Sequence, residues 1–79
     1  MIDTNALLTA ELAQGRAAAG LSLRELAQAA RDAGHRLDAS AVCRLEAGRV
    51  RWNAGHIDAV AAALGIEPAA FLRRAGAER

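Results

Sequence analysis

Asp38-Ala-Ser-Ala-Val-Cys-Arg-Leu-Glu-Ala-Gly-Arg49 is the stretch whose reading decides how this chain folds. The Asp38 carboxylate can accept from the free N–H groups that open a helix, which predicts an N-cap. Gly48 predicts the stop, because glycine enters the left-handed conformation at little cost. Val42 and Leu45 share one face of the short helix between them and point inward. Ala39, Ser40, Cys43 and Arg44 fall on or near the other face, and Arg49 and Arg51 follow just beyond it. Small residues let a helix sit close to a groove, and arginine is the side chain best suited to guanine edges. On this stretch alone, a packed helix of a small bundle with a solvated outer face accounts for the pattern equally well.

The chain has 79 residues, enough for one domain with one modest core. It is 53% hydrophobic but only 3% aromatic, and much of the apolar content is alanine, so an all-α bundle is expected. Charged residues make up 24%, which argues against disorder. All 10 basic residues are arginine, set against 9 acidic ones, so the net charge of +1 does not by itself announce nucleic acid. The distribution says more: residues 1–15 carry only Asp3 and Glu11, whereas Arg44, Arg49 and Arg51 cluster around the central helix, an asymmetry that suits a local phosphate-facing patch. The single cysteine, Cys43, has no internal disulfide partner, which weakly favours a reducing compartment. No basic n-region precedes an apolar h-region at the start, and no run is long and apolar enough to span a bilayer. The expectation is a cytoplasmic protein with no membrane contact.

Outward from the central stretch, the first helix is expected over residues 3–19, capped by Asp3 or Thr4, with Leu8 and Leu12 stacked at four-residue spacing. Arg16 lies near that inward line and needs a partner, since an unpaired buried charge is costly. Gly15 weakens this helix without breaking it, and Gly20 ends it. Ser22 and Glu25 form a capping-box signature for a second helix over 23–33, with Leu23, Leu26, Ala27 and Ala30 inward and Gly34 as the stop. Leu37 is expected to tuck into the core. The third helix is predicted over 39–47. Asn53 caps a fourth over 54–64, with Ile57, Val60, Ala61 and Leu64 inward, and Ile66 enters the core where the chain turns. Pro68 suits the first position of a fifth helix buried by Phe71 and Leu72. The ordered core is expected over residues 3–74 of a single domain, with fraying after Arg74.

Three segments carry a resemblance: Gly20-Leu-Ser-Leu-Arg-Glu-Leu-Ala27, then Ser40-Ala-Val-Cys-Arg-Leu-Glu-Ala-Gly-Arg49, then Ala61-Ala-Ala-Leu-Gly-Ile66. In that order they resemble the Cro/C1-type (XRE-type) helix-turn-helix family, over residues 8–72. The resemblance implies a five-helix, lambda-repressor-like bundle that binds double-stranded operator DNA, usually as a homodimer, with the third helix in the major groove. It implies base reading by Ala39, Ser40 and Arg44, and phosphate contact by Ser22, Leu23, Cys43, Arg49 and Arg51. It also implies an ion pair between Arg16 and Glu46, which supplies the partner that Arg16 requires. One departure is the stretch 27–38, which is longer by roughly five residues than its usual form in the family, where a tight turn joins the second and third helices; about one extra turn on the second helix and a loop over 34–37 are expected. It makes Arg31, His35 and Arg36 additional candidates for DNA contact. A second departure is Ala39, which lacks a hydrogen-bonding group and offers only contact with a thymine methyl.

The implied function is sequence-specific transcriptional regulation, as a repressor on nucleoid DNA. The competing class is an antitoxin or adaptor using the same fold mainly for protein–protein contact; such a module does not need Arg44, Arg49 and Arg51 on one side. An enzyme is not expected, because Cys43, His35 and His56 sit on different elements with no nucleophile–base pairing. Those three also lack metal-ligand spacing, and neither cofactor nor small-molecule ligand is evident. His56 is expected to be exposed, and Trp52 to pack over the edge of the core.

Overall fold

The fourth helix shows how this chain builds a core almost without aromatic residues. Ala59, Val60 and Ala61 are consecutive and all buried, because this helix is packed against two others at once and needs a wide apolar arc rather than a stripe. Alanine on that arc lets the neighbouring backbones come close. The computed structural model describes residues 3–77. Among them are five helices and no strands: α1 (Thr4–Ala19), α2 (Leu23–Asp32), α3 (Ala39–Glu46), α4 (Ala54–Ala63) and α5 (Pro68–Ala75). α2 packs on α3 and α4, α1 packs on α3 and α5, and α4 meets α5 at a 97° bend. No single helix among the described residues is long and apolar enough to cross a membrane.

One cluster forms the core: Leu8 and Leu12 from α1, Leu26, Ala27 and Ala30 from α2, Leu37, Val42 and Leu45 around α3, the α4 trio, and Phe71 and Ala75 from α5. The radius of gyration is 11.1 Å, close to the about 12 Å of a fully folded domain of this length. Leu23, Ile57, Leu64, Ile66 and Leu72, expected inside, are half-buried and pack against the cluster from its edge. Within α4 it is Ala59 that fills the interior, since Ile57, two residues earlier, points to a different face of the helix and packs at the edge of the core. Gly15 gives α1 its close approach to Leu64: a Cβ there would stand 2.9 Å from the Leu64 Cδ1. The helix continues through Gly15.

The helix starts follow the capping chemistry of the sequence. Asp3, Ser22, Asp38 and Asn53 each accept a hydrogen bond from a first-turn N–H, and Pro68 opens α5. At α2 the capping box is complete: the Glu25 N–H donates to Ser22 Oγ (3.0 Å) and the Ser22 N–H donates to Glu25 Oε1 (2.8 Å). α4 has the same reciprocal arrangement with a histidine in the third position. His56 Nδ1 accepts from the Asn53 N–H (3.2 Å) while the His56 N–H donates to Asn53 Oδ1 (2.8 Å). That use of its ring, edge-on to Trp52 at 6.3 Å, leaves His56 half-buried rather than exposed.

The far end also differs from the sequence reading. Fraying does not begin after Arg74: α5 runs to Ala75, which is buried, and Gly76 closes it in the left-handed conformation at φ 76°. The Ala77 N–H then donates to the Leu72 carbonyl (3.0 Å). An alanine able to enter the core followed by a cap glycine is a helix ending, not an irregular tail. Of the residues expected to fray, 78 and 79 lie outside the described residues.

Two expected outcomes follow. Phe71 is completely buried and its ring lies 5.7 Å from that of Trp52. Phe71→Ala should cost about 3–5 kcal/mol in urea unfolding followed by helical dichroism, a large share of the stability of a small domain. A loss below about 1 kcal/mol would contradict this packing. The hydrogen bond from the Ser22 backbone, followed by that from its hydroxyl, holds the Glu25 carboxyl below the usual carboxylate range. A carboxyl depressed by folding contributes stability above its unfolded pKa, and that contribution is lost as pH falls through the folded value. Thermal unfolding of the wild type and Glu25→Gln should therefore differ most near neutral pH and converge in acid; a difference independent of pH would contradict the assignment.

Candidate nucleic-acid interface

α3 is short, and a helix of eight residues has little stability of its own. It packs on α2 and α1, and the polar contacts that fasten its C-terminal end come from α1. Asn5, Thr9, Leu12 and Arg16 follow one another at spacings of four, three and four, so they share a face of α1, and that face meets α3 and the segment after it. Thr9 Oγ1 donates to the Leu45 carbonyl (3.0 Å), near the end of α3, and accepts from Trp52 Nε1 (3.2 Å). Asn5 Nδ2 donates to the Val50 carbonyl (3.3 Å), and its Oδ1 accepts from the Trp52 N–H (2.7 Å). The segment carrying Arg49 and Arg51 is thus stitched to α1 through its backbone.

The Arg16 guanidinium completes the stitching. Nε and Nη2 donate to the two Glu46 carboxylate oxygens (2.5 and 2.9 Å), and Nη1 donates to the Leu21 carbonyl (2.8 Å). One side chain thereby joins α1, the turn into α2 and the last residue of α3. Both partners are mostly shielded, with side chains 25% and 19% exposed. The hydrogen bonds to Glu46 push the Arg16 guanidinium further up from its ordinary value; burial opposes this and the Glu46 charge adds to it.

With its inner face fixed by Val42 and Leu45, α3 turns Ser40, Cys43 and Arg44 outward, all exposed. Ala39 is half-buried against the core, which leaves Ser40 and Arg44 as the fully exposed pair among the three expected base-reading positions. At the other end Gly48, at φ 71°, reverses the chain, and the Arg49 N–H donates back to the Arg44 carbonyl (3.0 Å). Arg49 and Arg51 are exposed. Among the described residues, the guanidinium groups of Arg44, Arg49 and Arg51 make no hydrogen bond or ion pair within the protein.

The remaining candidates are distributed differently. Ser22 is exposed, but both its hydroxyl and its N–H are engaged by Glu25. The open first turn of α2 therefore presents the N–H groups of Leu23 and Arg24 instead. Half-buried Leu23 and exposed Cys43 line an open groove together with Glu46 and Ala47. Arg31 is exposed but occupied: Nη1 donates to the Leu37 carbonyl (2.8 Å) and Nη2 to Gln28 Oε1 (2.9 Å). His35 is half-buried, and Arg36 is exposed. Among the described residues no three His, Cys, Asp or Glu side chains gather to hold a metal ion. Sequence reasoning missed Asn5, Thr9 and Gln28. The first two were detectable as polar residues at helical spacing on the same face as Leu12 and Arg16.

In comparisons with known proteins, the chain matches no family model, no curated protein and no solved structure.

The ion pair yields an expected outcome. In a double-mutant cycle of Arg16→Ala and Glu46→Ala, unfolding free energies should show a coupling of about 1–3 kcal/mol, the range for shielded, charge-assisted hydrogen bonds. A coupling indistinguishable from zero would mean that α3 is held by its apolar face alone.

Proposed function

We propose that this chain is a sequence-specific double-stranded DNA-binding regulator of the Cro/C1-type helix-turn-helix kind, acting as a repressor with α3 in the major groove. The observation that carries the reading is the set of exposed, internally unpartnered guanidinium groups on and just beyond the outer face of α3. Of the eight described acids, Asp3, Glu25, Asp32, Asp38 and Glu46 accept hydrogen bonds from neighbouring groups of the same chain, and only Glu46 pairs with an arginine. The net charge is only +1, so the reading rests on where the free guanidinium groups stand and not on overall charge.

In this reading α2 and α3 form the helix-turn-helix of a lambda-repressor-like bundle, with an extended connection in place of the tight turn. Arg44 and Ser40 read base edges, and Ala39 is limited to contact with a thymine methyl. Arg49 and Arg51 bind phosphates, which fixes the register of the protein on the duplex without carrying sequence information. One such unit reads few base pairs, so two copies bind half-sites about one helical turn apart. Ile66 and Leu72, half-buried where α4 gives way to α5, supply the apolar surface for pairing.

Selection of bound sites from random duplexes tests the proposal. Arg44→Ala should relax preference at one base pair, at a cost of about 1–3 kcal/mol on the selected site. Arg49→Ala should weaken all sequences about equally. Unchanged preference with Arg44→Ala, or a base-specific loss with Arg49→Ala, would reverse the two roles; failure of the wild type to enrich any duplex would remove the reading.

A further inference from the structure

Arg36 stands apart from the other basic side chains in the connection between α2 and α3. The loop over 33–38 is held along its length. The His35 N–H donates to the Ala30 carbonyl (3.0 Å), the Leu37 carbonyl accepts from Arg31, the Leu37 side chain is buried, and Asp38 caps α3. Arg36 lies between half-buried His35 and buried Leu37, so its backbone is flanked by anchors. Its side chain is exposed and has no hydrogen bond or ion pair. Arg31 is the opposite case, a guanidinium spent on holding the loop.

The position of Arg36 relative to α3 gives it a use. Arg31, Arg36, Asp38, Ala41 and His56 line an open groove beside the first turn of α3. The acid there, Asp38, has its Oδ1 turned to the Ala41 N–H at 2.7 Å. Arg36 precedes the first residue of α3, Ala39, by three positions, and Arg49 follows the last, Glu46, by three. Free arginines thus flank α3 just before its first residue and just after its last.

We infer that Arg36 is a phosphate-contacting residue at the N-terminal end of α3, opposite Arg49 and Arg51 at its C-terminal end. The inference rests on the DNA-binding reading above and extends it. Contacts at both ends restrain the tilt of α3 as well as its register, which a cluster at one end cannot do. Of the three basic residues of the long connection, Arg36 makes the contact, Arg31 fastens the loop, and His35 packs beneath it.

The test is a salt titration of binding to a fluorescein-labelled random-sequence duplex, read by anisotropy. Each phosphate contact contributes about 0.9 to the slope of log affinity on log salt. Arg36→Gln should lower the slope by about 0.9 with no change in unfolding midpoint, and Arg36→Lys should restore it. Arg74→Gln, at an exposed and unpartnered position on α5, should leave the slope as in the wild type. If Arg36→Gln keeps the wild-type slope while Arg49→Gln loses about 0.9, this inference is overturned and the DNA-binding reading stands. An equal loss with Arg74→Gln also overturns it, since net charge alone would then explain the effect. No salt-dependent binding by the wild type overturns both.

Discussion

The bidentate pair between Arg16 and Glu46 is the constraint on which the rest depends. α3 buries only Val42 and Leu45 completely, so polar contacts supplement the packing of this short helix. The pair, with Thr9 on the Leu45 carbonyl, pins its C-terminal end to α1. Because Arg16 also donates to the Leu21 carbonyl, the start of α2 is referred to the same point. The two helices that would face a duplex are thereby oriented by one guanidinium on the helix behind them.

The same logic extends to the segment after α3. A loop bearing two free arginines would repel itself and wander if nothing held its backbone. Asn5 binds it at Val50 and Trp52, and the Trp52 ring covers Phe71 while its indole N–H goes to Thr9. The indole donor is thus used internally, and packing is its role. The backbone on either side of Arg51 is thus held, while the guanidinium groups of Arg49 and Arg51 make no hydrogen bond or ion pair among the described residues.

Much of this arrangement was legible in the sequence, for reasons that differ by residue. Ser22 with Glu25, and Asp38 with Ala41, complete their bonds within one turn, so the starts of α2 and α3 are legible; their ends, expected at Ala33 and Ala47, fall one residue earlier, at Asp32 and Glu46. Val42 and Leu45 were equally clear, because spacing alone sets their face. The need of Arg16 for a partner followed from burial, and the identity of Glu46 came from resemblance rather than from spacing. α4 was harder. An alanine-rich helix has no stripe to read, and only its position between α2 and α5 decides that Ala59 is inside and Ile57 at the edge. His56 as a cap was hidden because the third position of a capping box is usually read as Glu or Gln. The continuation of α5 to Ala75 is signalled by Gly76 as a cap, not by periodicity, which so short a stretch cannot show.

The proposed role of α3 is tested most directly by mapping where a duplex touches the protein, using backbone amide NMR shifts on titration with a selected DNA site. The account requires the large changes to fall on Ser40, Cys43 and Arg44, on Arg36, on Arg49 and Arg51, and on the first turn of α2, with the outer face of α1 and the body of α4 quiet. Large changes confined to α1 or α5, with α3 unmoved at saturating DNA, would contradict it.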